Sequence, residues 1–242
     1  MSRTALVVSA HSADFVWRAG GAIALHQEQG VNVTVVCLSF GERGESAKLW
    51  KQAGMTLEKV KSERKREAEN AAKALNVHDI QFFDLGDYPL NLDRSAVMRM
   101  TDVMRAVQPD FILTHSKLDL YNTDHMDTFR FTIDARMIAQ AHGHEPGQKI
   151  LGAPQVYLFE PHQSEQMEWK PDVFLDISSV WDKKWAAIQC MAGQEHLWHF
   201  YKNVAENRGN HFMRNSGGQA SGRKATHAEG FQSVFPRTVD TL

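Results

Sequence analysis

A histidine and an aspartate stand three residues apart at the end of a short apolar run near the start of the sequence. The run LVVSA ends at position 10, and His11 and Asp14 follow it. Ligands of open α/β sheets bind at the carboxyl ends of the strands, so both side chains would lie on the first loop of a binding crevice. An imidazole nitrogen and a carboxylate oxygen are suitable zinc ligands, although a catalytic site needs a third protein ligand and an open position. The alternative is an ordinary strand-end turn with a solvated aspartate.

The pattern of apolar residues predicts strands that alternate with helices. We predict strands at 4–9, 31–40, 79–84, 110–115, 155–160 and 173–177, and helices at 19–30, 56–75, 96–107, 126–142, 181–194 and 195–206. Such alternation is typical of a doubly wound α/β fold with a mostly parallel sheet and helices on both faces. We expect a single domain over 1–242. Its last part, 207–242, is rich in Gly, Ser, Asn and Arg, and this composition predicts an extended C-terminal arm or a loop with one short element near 228–231.

Composition narrows the function classes. The 242 residues are 43% hydrophobic and 23% charged with a net charge of −2, so nothing favours binding to nucleic acid or to an anionic membrane. No apolar run has the length of a membrane span, and the N-terminus lacks the pattern of a signal peptide. Cys37 and Cys190 lie in apolar contexts, where buried thiols and a reducing cytoplasm are expected.

Four polar loops that follow predicted strands converge on one edge of such a sheet. They carry His11 and Asp14, then Glu42, Arg43 and Glu45, then Asp119, Tyr121, Asn122, Asp124 and His125, and finally His162. The third zinc ligand is best sought in the Asp124–His125 pair. One residue would bind the metal and its neighbour would orient it from behind. Alternatively, Asp124 caps the following helix and His125 is part of that helix start.

Several ordered motifs resemble the LmbE/PIG-L family of zinc-dependent N-acetylglucosamine deacetylases. They are AHSADF at 10–15, GERG at 41–44, RKRE at 64–67, NTDH at 122–125 and AEGF at 228–231. The resemblance spans nearly the whole chain. It implies a Rossmann-like fold and a zinc ion held by His11, Asp14 and His125, with Asp124 beside them.

Three positions depart from the deacetylase pattern. Ala13 stands where those enzymes have the aspartate that acts as general base, Asn122 where they have a histidine that stabilises the transition state, and Phe15 where the first motif ends in glutamate. A hydrolase relies on a base near the metal-activated water. Metal ligands without these groups imply different chemistry on the same scaffold, or no chemistry.

One branch of the family fits these departures, the 4-oxalomesaconate hydratases of bacterial gallate and protocatechuate breakdown. The GERGES loop at 41–46 and the EPH segment at 160–162 resemble that branch. Adding water to a conjugated C=C needs a proton acceptor and a proton donor. Glu45 is our candidate acceptor, Glu42 competes with it, and His162 is the candidate donor because imidazole titrates near neutrality. Alternatively, the glutamates pair with nearby cations, and His162 is an ordinary strand-end residue.

A di- or tricarboxylate substrate calls for arginine, which recognises carboxylates through two parallel hydrogen bonds. The candidates are Arg43, Arg64, Arg214 and Arg223 for the carboxylates, and Tyr121 and Asn122 for further hydrogen bonds. We expect Asp87 and Glu67 to be structural.

Three functions therefore compete. The leading one is a zinc-dependent hydratase acting on a small di- or tricarboxylate, with another divalent metal as an alternative to Zn²⁺. The second is an amide deacetylase in which Glu42 or Glu45 has taken over as base. The third is a non-catalytic module that binds metal or sugar. The composition of the 207–242 arm also leads us to expect a homo-oligomer.

Overall fold

The computed structural model describes residues 3–145, 147–217 and 222–236. The strands are β1 (Thr4–Ser9), β2 (Asn32–Cys37), β3 (Asp79–Phe82), β4 (Phe111–Thr114), β5 (Gln155–Phe159), β6 (Val173–Asp176) and β7 (Ala228–Ser233). The helices are α1 (Asp14–Glu28), α2 (Ala47–Trp50), α3 (Leu57–Ala74), α4 (Arg94–Val107), α5 (Thr123–Ala139), α6 (Trp181–Gln189) and α7 (Trp198–Asn215). Short 3₁₀ helices span Ser164–Gln166, Ser178–Val180 and Ala192–Leu197.

All seven strands form one sheet in the order β3-β2-β1-β4-β5-β7-β6. Strands β1 to β5 are parallel, whereas β7 runs antiparallel to both of its neighbours. The chain leaves β1 toward β2 on one side and returns to β4 on the other, so the strand order reverses between β1 and β4. A crevice opens beyond the carboxyl ends of the strands at such a reversal. The predicted fold class is confirmed, and the loops after β1 and β4 meet at this crevice.

Each face of the sheet is covered by helices, because alternate strand residues point to opposite sides. Val7 and Val35 face one cluster, which holds apolar residues of α1, α3 and α6. Leu6 and Val8 face the other cluster, which includes Met100 of α4 and residues of α5. The strands read as continuous apolar runs because both of their faces are buried. Within the described residues, no helix combines the length and apolar character that crossing a membrane requires.

The two helices that carry site residues in their first turn, α1 and α5, begin earlier than the sequence predicted. Helix α1 begins at Asp14 rather than 19, on hydrogen bonds that the Ala13 carbonyl accepts from the backbone of residues 16 and 17. Helix α5 begins at Thr123 rather than 126, because the Asn122 side chain accepts a hydrogen bond from the backbone N–H of Asp124. Asn122 is therefore the helix cap, and the alternative in which Asp124 caps the helix is wrong.

The predicted extended arm at 207–242 is also wrong for most of its described residues. Positions 207–215 continue α7, and 228–233 form β7, which lies between β5 and β6. This strand is the short element predicted near 228–231, and the buried side chains of Ala228 and Phe231 hold it in the sheet. Positions 218–221 and 237–242 of the predicted arm lie outside the described residues.

A buried ion pair ties β7 and α6 to the middle of α1. Glu229 accepts hydrogen bonds from the backbone N–H groups of Gly21 and Ala22 and from the ammonium group of Lys184, which is 2.6 Å away. Lys184 also donates to the Trp17 carbonyl. Glycine is needed at position 21 because a Cβ there would lie 2.5 Å from the Ile177 side chain. These contacts hold in place the helix that carries Asp14.

Candidate active site

Four side chains of the crevice bring potential metal-ligand atoms within 4.8 Å of one another, namely those of His11, Asp14, Glu45 and His125. They come from the loop after β1, the first turn of α1, the loop after β2 and the first turn of α5. Three of the four are buried. The sequence had placed these residues on loops that should converge, and the structure brings them together.

His11 is held by a carboxylate behind it. Its Nε2 lies 3.1 Å from Oδ2 of Asp124, whose carboxylate also accepts hydrogen bonds from the backbone N–H groups of Tyr88 and Leu90. The other ring nitrogen, Nδ1, lies 3.3 Å from Asp14 and makes no hydrogen bond among the described residues. Asp124 thus orients His11 and not its sequence neighbour His125, which corrects the more obvious assignment.

His125 repeats the arrangement with a different carboxylate. Its Nδ1 lies 2.8 Å from Oδ2 of Asp119, and its Nε2 lies 3.4 Å from Oδ1 of Asp14. This Nε2 also lacks a hydrogen-bond partner within the described ranges. Asp119 precedes His125 by six residues, so the loop that separates them must fold back before their contact exists. The sequence placed Asp119 on this loop without assigning it a role.

The donor set fits a divalent cation. Nδ1 of His11 and Nε2 of His125 are buried, unsatisfied and turned toward the carboxylate of Asp14, while the opposite nitrogen of each ring is bonded to a carboxylate. Carboxylate–histidine pairs of this kind fix the tautomer and direct the free nitrogen at a metal. Two histidines and one carboxylate, with a fourth position open, is the ligand set of a catalytic zinc site.

The electrostatics of the cluster favour positive charge. Burial alone would lower the pKa of His11, but Glu45, Asp124 and Asp14 raise it well above the ordinary value. Burial alone would raise the pKa of Asp14, but the neighbouring His125 and a second histidine lower it well below its usual range. A cation placed among these groups would satisfy both tendencies.

That second histidine, His115, belongs to the site and was not proposed from the sequence. It follows β4, its ring stacks on His125 with centroids 4.1 Å apart, and its Nε2 accepts a hydrogen bond from the backbone N–H of Ala10. Burial and the neighbouring His125 lower its pKa to about 3, so the ring is neutral. The available signal was its position at the end of the strand that pairs with β1.

Glu45 is the carboxylate on the open side of the cluster. Its Oε1 lies 3.1 Å from Nδ1 of His11 and 3.5 Å from the side-chain amide of Asn122. Burial alone would raise the pKa of Glu45, but His11 lowers it below the ordinary value, so the carboxylate is available as a proton acceptor. Ala13 is fully buried in the apolar core and offers no acceptor.

Glu42, the competing candidate, is held in its own loop. Its Oε2 accepts a hydrogen bond from the backbone N–H of Phe40, and its carbonyl accepts one from the Trp50 indole. The other carboxylate oxygen lies 3.8 Å from the ammonium group of Lys61. Burial raises its pKa. The carboxylate is not part of the cluster formed with His11, so its position does not support the role of proton carrier.

Arg64, predicted to bind substrate, is a structural residue. Its side chain is fully buried; it donates to Glu67 at 2.6 Å, to Gln194 at 2.7 Å and to the Phe40 carbonyl at 3.3 Å. Its side chain is buried and each of its three nitrogens donates to a protein group, which does not support the predicted role in substrate binding. The same contacts confirm the structural role expected for Glu67.

The other predicted arginines lie on the outer parts of the fold. Arg43 is exposed, and its backbone N–H donates to Asp87 at 3.0 Å, which makes Asp87 the structural residue that the sequence predicted. Arg214 is exposed in the last turn of α7. Arg223 is exposed as well and lies over the ring of Phe212 in the same helix. A role of these arginines in substrate binding stays a prediction.

His162 occupies a half-buried position between aromatic rings. Its ring centroid lies 5.8 Å from that of Tyr121 and 4.9 Å from that of Phe200. Burial lowers its pKa, and the charge of Arg18 adds to the effect. The Tyr121 hydroxyl donates a hydrogen bond to Gln166 at 2.6 Å. A role of Tyr121 in substrate binding stays a prediction.

Asn122 uses both ends of its side-chain amide inside the site. The oxygen caps α5, as described above, and the nitrogen donates to the Tyr88 hydroxyl at 2.9 Å. Burial, followed by the charge of Glu45, raises the pKa of Tyr88 to about 12. Asn122 therefore links the side chains of Tyr88 and Glu45, which belong to the loops after β3 and β2.

Arg18 is the cation that sequence reasoning missed. It lies one turn after Asp14 on α1 and is buried, with Nε 3.4 Å from Oδ1 of Asp14 and Nη1 2.5 Å from the Glu160 carbonyl. Its Nη2 lies 3.9 Å from Oδ2 of Asp119. The i,i+4 spacing from Asp14 was the available signal, because residues four apart share a helix face.

Comparison with known proteins gives relatives at two levels of sequence identity. The chain is 61% identical over 240 residues to 4-oxalmesaconate hydratase of Pseudomonas putida, covering 99% of this chain and 92% of that protein. It is 27% identical to a probable N-acetyl-α-D-glucosaminyl L-malate deacetylase 2 of Bacillus cereus, covering 78% of this chain and 82% of that protein.

Among solved structures, the fold superposes on the 4-carboxy-2-hydroxymuconate hydratase of Pseudomonas putida with a TM-score of 0.96. The two are 61% identical, and 99% of each chain is covered. The model of the family described as PIG-L, GlcNAc-PI de-N-acetylase, matches residues 6–136, which include every ligand of the candidate metal centre. The chain therefore belongs to the PIG-L family.

Proposed function

We propose that this protein is a hydratase that adds water to a conjugated C=C of an oxo- or enol-tricarboxylate, the 4-oxalomesaconate or 4-carboxy-2-hydroxymuconate of its relatives' names. The identity of 61% over nearly the whole chain supports this substrate class. One observation in the site favours hydration over deacetylation. Ala13 removes the deacetylase base beside Asp14, while Glu45 supplies a carboxylate at 3.1 Å from His11. Such a hydratase would act in the cytoplasmic breakdown of gallate or protocatechuate.

In this proposal His11, Asp14 and His125 hold a zinc ion, with Asp124 and Asp119 orienting the two histidines. When bound, zinc would supply Lewis acidity toward a water molecule or a substrate oxygen. The buried histidine nitrogens that lack hydrogen bonds support this ligand set. Imidazole and carboxylate ligands alone do not distinguish zinc from manganese or iron, so metal analysis of the protein as purified is the direct measurement.

The proton transfers fall to two residues on different loops. Glu45 accepts a proton from the water that forms the new C–O bond, since its carboxylate is ionised and lies on the open side of the cluster. His162 gives a proton to the neighbouring carbon. In total, one water molecule is added across one C=C bond, with the hydroxyl on one carbon and the proton on the other. His162 packs against Phe200 and belongs to a different loop from Glu45, so our proposal places the two groups on different sides of the bound alkene.

Ultraviolet absorbance of the conjugated substrate provides the assay, since hydration removes the conjugation. We expect turnover by the zinc-loaded protein and loss of turnover in Glu45→Gln and His162→Gln. Unchanged turnover in both variants, with zinc retained, would contradict the assigned roles.

A deacetylase is the second candidate, because Glu45 could act as the relocated base and a deacetylase is 27% identical over much of the chain. Acetate release from N-acetylglucosamine conjugates separates the two. Release comparable to the rate of hydration would favour this candidate. A non-catalytic module has less support, since Glu45 is an ionised carboxylate at the cluster and not a decayed position.

Homo-oligomerisation stays a prediction with weaker support than it had from the sequence. It rested on a free arm, and the described residues 207–215 and 228–233 pack within the fold instead. Sedimentation velocity of the purified protein would give the answer.

A further inference from the structure

A cavity of about 130 Å³ opens beside the metal cluster, between α1, α7 and the segment that follows β5. Arg18 of α1 and Tyr201 of α7 line it, together with Glu160, Ser164, Ala205 and Arg208. Neither the hydration chemistry nor the metal ligands account for this space.

Of the three cationic side chains that line the cavity within the described residues, two already have an ion-pair partner in the protein. Arg208 forms an ion pair with Glu160, whose carboxylate also accepts the Ser164 hydroxyl at 2.7 Å. Lys184 is bonded to Glu229 at 2.6 Å. Within each of these pairs the two charges neutralise each other, so neither pair favours the binding of a charged ligand.

Arg18 is the exception among the cations that line the cavity. Its two carboxylate neighbours are distant, Asp14 at 3.4 Å and Asp119 at 3.9 Å, and its Nη2 has no hydrogen-bond acceptor among the described residues. Asp119 is itself engaged by His125 at 2.8 Å. Arg18 is buried, lines the cavity and keeps hydrogen-bonding capacity that the described residues do not use.

Tyr201 offers a second free donor beside this arginine. The ring is fixed by stacking on Trp17, with centroids 5.0 Å apart and an interplanar angle of 9°. The hydroxyl has no hydrogen-bond partner in the part of the chain that the structure describes. Burial raises the pKa of Tyr201 to about 12, so the hydroxyl stays protonated and can donate. A guanidinium and a phenol that share a pocket match the oxygens of a carboxylate.

The cavity is placed to receive one end of a molecule that reacts at the cluster. Arg18 touches the metal ligand Asp14 on one side. On the other side Phe200, which also lines the cavity, packs on His162 with ring centroids 4.9 Å apart. A substrate that reaches from the cluster into the cavity would therefore lie close to His162.

We propose that Arg18 and Tyr201 form a carboxylate subsite that binds one carboxyl group of the substrate and so selects a tricarboxylate over a dicarboxylate. This inference rests on the proposed function for the identity of the ligand. Asp14 would share its charge with a metal, which leaves the charge of Arg18 available to the substrate. The subsite fixes the substrate by its end and holds the alkene beside Glu45 and His162.

Calorimetric titration with two unreactive probes tests the subsite without turnover. The probes are propane-1,2,3-tricarboxylate and 2-methylsuccinate, which has the same carbon skeleton without one of the terminal carboxyl groups. We expect the zinc-loaded protein to bind the tricarboxylate at least ~10-fold more tightly, as one charge-assisted interaction provides. Arg18→Met should abolish this preference, and Tyr201→Phe should reduce it several-fold. Arg130→Met is the matched control, since Arg130 is an exposed arginine paired with Asp134 on α5.

Zinc content and thermal unfolding are measured for each variant, because Arg18 also touches Asp14. Ala205→Leu gives an independent answer, since it fills the cavity from α7 and leaves Arg18 in place; it should also abolish the preference. If Arg18→Met and Ala205→Leu, both zinc-loaded, keep the preference and the substrate KM, the subsite is wrong although the hydratase assignment stands. If the wild type prefers the tricarboxylate but does not hydrate the conjugated substrate, the proposed function fails and the subsite stands.

Discussion

Oδ2 of Asp124 lies 3.1 Å from Nε2 of His11, and this contact decides which nitrogen of His11 faces the candidate metal site. Asp119 does the same for His125 through Nδ1. The two histidines therefore present different ring nitrogens to Asp14. Each carboxylate is anchored elsewhere, Asp124 by two backbone N–H groups and Asp119 by the backbone of Tyr121.

Asp124→Asn should weaken zinc binding about 10- to 100-fold, the usual effect of losing the partner of a metal-bound histidine. Asp119→Asn should have a similar effect through His125. Zinc affinity is measured by competition with a chromophoric chelator. Asp134→Asn, a substitution of the same kind at an exposed position of α5, should leave the affinity unchanged. Equal affinities in all three variants would show that neither carboxylate supports a ligand.

The two glutamates of the loop after β2 provide a matched pair. Glu45→Gln should lower kcat by about 10²- to 10⁴-fold, the range for removing a general base, and should leave zinc bound. Glu42→Gln should keep kcat within a few-fold, because that carboxylate bonds the backbone of its own loop. Steady-state hydration rates with parallel zinc analysis give the comparison. The reverse ranking would make Glu42 the proton carrier.

Much of this site could be predicted from the sequence because its ligands follow strands. The run before His11 and the strand before Asn122 and His125 are apolar and continuous, so the edge on which these residues meet follows from the fold class. What the sequence could not give is the pairing across loops. Asp124 is adjacent to His125 yet serves His11, since a side chain in the first turn of a helix points away from that of its neighbour.

Arg18 and Arg64 show the same limit for cations. Arg64 belongs to a family motif and looked suited to a carboxylate substrate, but α3 turns it into the core against Glu67 and Gln194. Arg18 stands in an apolar helix and looked unremarkable by composition. The role proposed for Arg18 depends on the cavity that it lines together with residues of α7, and α7 lies about 180 residues later in the chain.

The pH dependence of hydration should reveal His162. It must be protonated to donate to carbon, and burial together with Arg18 holds its pKa below 6.5 in the free protein. We therefore expect kcat/KM to fall as the pH rises through that pKa. The carboxylates of a bound substrate favour the protonated form, so the corresponding limb of kcat should lie at higher pH.

Rate profiles between pH 5 and 9 for the wild type and for the residual activity of His162→Gln provide the measurement. The fall in rate with rising pH should be missing from the variant, whereas Glu42→Gln should retain it. An identical limb in wild type and His162→Gln would assign that titration to another group.

Arg64→Met separates a structural arginine from a substrate-binding one. Removing the guanidinium leaves the buried carboxylate of Glu67 without its partner, and breaking a buried pair in this way costs about 3–5 kcal/mol of unfolding free energy. The control is Arg66→Met on the same helix, where the lost pair with Glu63 is exposed and worth less than about 1 kcal/mol. Urea unfolding gives both free energies. The folded Arg64→Met protein should keep the wild-type KM for the tricarboxylate, whereas a KM raised ten-fold with little loss of stability would return Arg64 to the substrate site.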